Sequence, residues 1–92
     1  MTATVFIVRS SPGRPLTVGF SDVAQAFAAA APGLRWALLH FHGFRALAAR
    51  YEAVVECFDS GYWRFSIADG SVAEAIRSSL ERLPDVHITE VW

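Results

Sequence analysis

Ninety-two residues, 53% of them hydrophobic and 13% aromatic, with a net charge of −1, make one small domain spanning residues 1–92. That balance excludes the strongly basic face on which general nucleic-acid binding rests. It also predicts self-association, because so small a domain cannot hide seven Phe, three Trp and two Tyr inside itself.

All eight basic residues are arginine, and Lys and Asn are absent while Ala is abundant, the signature of a GC-rich and bacterial coding sequence. Cys57 is the only cysteine, so no internal disulfide forms and a reducing cytoplasm suits the chain. The opening MTATVFIVRSS has neither the basic start nor the apolar core of a secretion signal, and no apolar run is long enough to cross a bilayer. The expectation is a cytoplasmic protein with no membrane partner.

Residues 2–9, TATVFIVR, are β-branched and almost wholly apolar, which predicts a central strand buried on both faces. SSPGRP at residues 10–15 is turn material. Ser21 is placed to cap a helix running through Val23, Ala24 and Phe27 to Ala31, and Pro32-Gly33 stops it. Residues 34–50 read two ways: a strand to about His42 followed by an irregular or short helical link, or one long helix with an Ala37/Phe41/Phe44/Ala48 stripe. The strand is preferred because AAPGLRWALLHF echoes RLPDVHITEVW, each passing from a helix end through a proline pair into a β-like run.

Residues 51–58 and 62–68 form a hairpin around Asp59-Ser60-Gly61. Setting Phe58 opposite Tyr62 puts Cys57 across from Trp63, Val55 from Phe65 and Ala53 from Ile67 on one face, with Glu56 facing Arg64 on the other. Hydrophobic and charge patterns agree on that register. Ser71-Val72-Ala73-Glu74 reads as a capping box, followed by an apolar stripe of Val72, Ile76, Leu80 and Leu83 that ends before Pro84. Residues 86–92 are a last strand. The order β-α-β-β-β-α-β predicts an α+β, ferredoxin-like plait: an antiparallel-rich sheet with two helices on one face.

The candidate contact residues are His40 and His42, with Trp36, Tyr51 and Arg35 around them. On a strand the two imidazoles share a face with Trp36, whereas on a helix they stand about 200° apart. No third ligand stands at a metal-motif spacing, so neither a metal nor any other cofactor is expected. Arg9 and Arg14 flank a strand-loop-helix segment that offers an anion site, although it matches no phosphate-loop motif. Cys57 belongs to the core, with no cation beside it to activate the thiol. GYWRFSI at residues 61–67 puts Trp where an RNA-recognition strand needs a small residue and Arg where it needs an aromatic, which excludes RNA binding.

Two function classes remain. One is a small stand-alone binding module, homodimeric, that docks a protein partner or a small apolar effector in a regulatory or immunity-type role. The other is a cofactor-free small-molecule enzyme of the dimeric α+β-barrel kind that uses His40 and His42. The absence of any acid/base constellation in the sequence favours binding.

Overall fold

A computed structural model describes residues 3–39, 51–58 and 61–91. In chain order they form β1 (Thr4–Arg9), α1 (Phe20–Ala30), β2 (Trp36–Leu39), β3 (Ala53–Phe58), β4 (Tyr62–Ile67), α2 (Gly70–Glu81) and β5 (His87–Val91). The strands make one sheet in the order β2-β3-β4-β1-β5. The β3-β4, β4-β1 and β1-β5 pairs are antiparallel, and β2 joins β3 in parallel. The architecture is therefore α+β.

The hairpin adopts the register that its side chains require: Phe58 opposite Tyr62, Cys57 opposite Trp63, Val55 opposite Phe65 and Glu56 opposite Arg64. Val55, Trp63, Phe65 and Ile67 point to the helices with Phe6 and Val8 of β1. Val23, Ala26 and Phe27 of α1, with Ala73, Ile76 and Leu80 of α2, close the core from above. Burying a large aliphatic or aromatic side chain is worth about 1.5–3 kcal/mol each, so this layer carries most of the favourable term.

The core aromatics form a row. Phe6 stacks on Phe65 at 4.9 Å, Phe65 lies 6.2 Å from Phe27, and Phe27 stacks on Trp36 at 4.4 Å with the ring planes 4° apart. That last contact holds edge strand β2 beneath α1. Within the apolar run 34–42 the strand spans Trp36–Leu39, its indole buying burial by facing the helix layer.

Three local expectations are corrected. First, β1 is not buried on both faces: Phe6 and Val8 are buried, but Val5 and Ile7 are only half-buried, because both helices lie on one side. Second, Ser21 does not cap α1. The helix begins at Phe20 behind Gly19, whose N–H donates to the Asp22 carboxylate at 2.9 Å. Third, Ser71 does not cap α2. Asp69 does, accepting the N–H groups of Ser71 at 2.8 Å and Val72 at 3.3 Å, which spares two of the first-turn donors from going unpaired.

Two Pro-Gly pairs shape the loops in the same way. Ser11-Pro12-Gly13-Arg14 and Ala31-Pro32-Gly33-Leu34 each close with an N–H to C=O bond, at 3.0 and 3.1 Å, around a glycine of φ +81° or +87°. Proline sets the second residue of such a turn, and only glycine enters the third without strain.

Candidate functional site

The aromatic row reaches the surface at the corner between α1 and β2. Phe20, at the first turn of α1, is 55% exposed and lies 6.2 Å from the Trp36 ring at a 33° tilt. Below it runs a groove of about 350 Å³ lined by Ala24, Phe27, Ala28, Pro32, Leu34 and Trp36. The groove exists because the outer side of α1 carries alanine where larger residues would fill the space against β2. Among the described residues no titratable side chain lines it. A second, smaller hollow of about 200 Å³ lies between the helices, with Asp22, Gln25 and Ser79 at its polar rim.

Trp36 is half-buried on Phe27 at the border of the core. His40 and His42 lie outside the described residues. Arg35 and Tyr51 are exposed where β2 and β3 begin. The Arg35 N–H meets the Glu52 carboxylate at 3.4 Å, and the Glu52 N–H returns to the Arg35 carbonyl at 3.1 Å. These contacts hold the start of the parallel β2-β3 pair and leave both side chains outward.

Arg9 and Arg14 are both exposed, and the loop between them already holds an anion: the carboxylate of Asp85. The Ser11 hydroxyl donates to Asp85 Oδ1, and the Ser11 N–H reaches the same oxygen at 3.3 Å. His87 Nε2 stands 3.1 Å from Ser11 Oγ. Since the hydroxyl proton goes to Asp85, the imidazole N–H is the donor in that contact. The Ser11 hydroxyl bond above all holds the Asp85 carboxyl below its ordinary value; partial burial opposes it, and the Ser11 N–H, Arg14 and His87 add to the lowering. Asp85 takes φ +57°, a left-handed conformation that Asp tolerates better than most side chains. Ser10 and Thr17 join across the same loop at 3.2 Å.

Sequence reasoning missed this cluster, since 74 residues separate Ser11 from Asp85 and neither stands in a motif. It contains Ser, His and Asp but is not a nucleophilic triad. There the imidazole accepts the serine proton and the carboxylate sits behind the imidazole; here the carboxylate takes the serine proton directly and the imidazole sits on the other side of Oγ.

Cys57 is half-buried against the core opposite Trp63. On the sheet face away from the helices, Glu56 is 5% exposed and paired with Arg64 at 2.7 Å. Among the described residues no group of three His, Cys, Asp or Glu side chains is placed to hold a metal ion, and no helix is long and apolar enough to cross a membrane.

Comparison with known proteins assigns no family. No family model matches the chain, and no curated protein or solved structure matches it. The reading rests on the residues themselves.

Proposed function

We propose that this chain is a small binding module that seats an apolar or aromatic group of a small effector in the corner between α1 and β2. The observation that carries the reading is the exposed Phe20 beside Trp36 over a groove whose described lining is alanine-rich and apolar. Such a surface offers ring contact and desolvation, which favour binding of an apolar group. Its scaffold is taken as a ferredoxin-like plait of β1, β3, β4 and β5 with β2 added at one edge, working as a homodimer in a bacterial cytoplasm. A catalytic reading based on His40 and His42 falls on residues outside the described ones.

The test is a ¹H–¹⁵N and methyl NMR titration with indole and other small aromatic fragments. Shifts confined to the Trp36 indole N–H and the Ala24 and Ala28 methyls, abolished in Phe20→Ala, are expected. No shift there up to about 1 mM, where binding would be worth only about 4 kcal/mol, would remove the groove as a binding site.

A further inference from the structure

We infer that two copies of this chain join through strand β5, pairing antiparallel about a two-fold axis at Thr89 so that the two sheets become one. The inference rests on the homodimer element of the proposed function and is independent of what the groove binds. Among the described residues β5 has β1 on one side and no strand on the other. Its residues are exposed apart from half-buried Ile88, with Val91 at 41%. An outer edge of this kind presents unpaired N–H and C=O groups, and proteins that must stay apart block such edges with unpaired charged side chains, Lys above all, with Pro, with a bulge or with a covering segment. HITEV carries neither Lys nor Pro. Its acidic group, Glu90, is paired within the chain with Arg77 at 2.7 Å, a guanidinium it shares with Glu81 at 3.1 Å.

The register follows from side-chain chemistry. Pairing with β1 places His87, Thr89 and Val91 on the face away from the helices, and Ile88 and Glu90 on the helix face. A centre at Thr89 puts Thr89 against its own copy, a favourable cross-strand pair, and covers each Val91 with the other copy's His87 ring. A centre at Glu90 would oppose two carboxylates. A centre at Ile88 would leave Val91 beyond the ladder. Only a centre at Thr89 uses all five residues without a like-charge contact.

Light scattering after size exclusion of the full chain tests this at about 10–300 µM, since a dimer's population depends on concentration. Wild type is expected at twice the 10.1 kDa chain mass. Thr89→Lys and Thr89→Glu should each run at the single-chain mass with unchanged circular dichroism, and an equimolar mixture of the two should regain the doubled mass. Thr89→Cys should form a covalent dimer on mild oxidation, because directly opposed Cα atoms about 4.5–5.5 Å apart suit a disulfide; this arm stands even if a charge variant fails to fold. A wild type at the single-chain mass throughout, or charge variants that stay dimeric, would overturn the β5 interface. Fragment binding at Phe20 and Trp36 would be untouched by either result.

Discussion

Glu56 places a carboxylate at 5% exposure on a sheet, which is costly unless the charge is held, and Arg64 holds it across the hairpin. A hydrogen bond to a charged group contributes about 1.5–3 kcal/mol. Glu56→Gln should therefore lower the urea-unfolding free energy by about 1–2 kcal/mol, whereas replacing Glu56 and Arg64 together with leucine should recover most of that loss. Asp69 and Asp85 behave differently. The Ser71 hydroxyl, then the Val72 and Ser71 N–H groups, keep the Asp69 carboxyl low, as Ser11 does for Asp85. Each folded value lies below the unfolded one near 3.8, so the stability they add is present above that pH and is lost as pH falls through the folded values. Asp69→Asn and Asp85→Asn should each reduce the drop in melting temperature between about pH 5 and pH 2. A drop as steep as that of wild type would place acid sensitivity elsewhere.

Strand β2 is four residues long, and its ties among the described residues include the ladder to β3 and the contacts of Trp36 with Phe27 and Phe20. Trp36→Ala should raise amide hydrogen exchange across residues 36–39 while leaving β3 and β4 protected, because local opening follows local contact loss. At the other helix, Asp69→Ala should speed exchange of the Ser71 and Val72 amides, which lose their acceptor. What could be read from sequence follows the same physics. The hairpin register was legible because hydrophobic alternation and the Glu56/Arg64 pair independently select it. The α2 cap was misread because Ser71 and Glu74 stand at capping-box spacing, yet the Asp69 carboxylate reaches the N–H groups two and three positions on. β2 was ambiguous because LRWALLHF is apolar at either period, and only the ring of Phe27 across the fold decides which face Trp36 takes. The Ser11-Asp85-His87 cluster was invisible since its parts meet only after β5 docks on β1.

At the scale of the whole molecule, one aromatic row from Phe6 to Phe20 crosses sheet, core and surface, tying both layers into a single unit. Trp63 adds to this by donating its indole N–H to the Val18 carbonyl at 2.8 Å, which fixes the long β1-α1 loop to the sheet. Unfolding should accordingly be two-state, with tryptophan fluorescence and far-ultraviolet circular dichroism falling together in urea; separated midpoints would mean that the α1-β2 corner melts by itself. Phe65→Ala, at the junction of two stacks, should cost about 3–5 kcal/mol and reduce both signals alike. The strand order has a consequence for biosynthesis. β1 is flanked by β4 and β5, so it leaves the ribosome before either neighbour and must wait for both. At about 5–20 residues per second, the chain between Arg9 and Tyr62 takes about 3–10 s to emerge. Throughout that interval Val5, Phe6, Ile7 and Val8 have neither edge paired, and this is the period in which a chaperone would find its grip on the nascent protein.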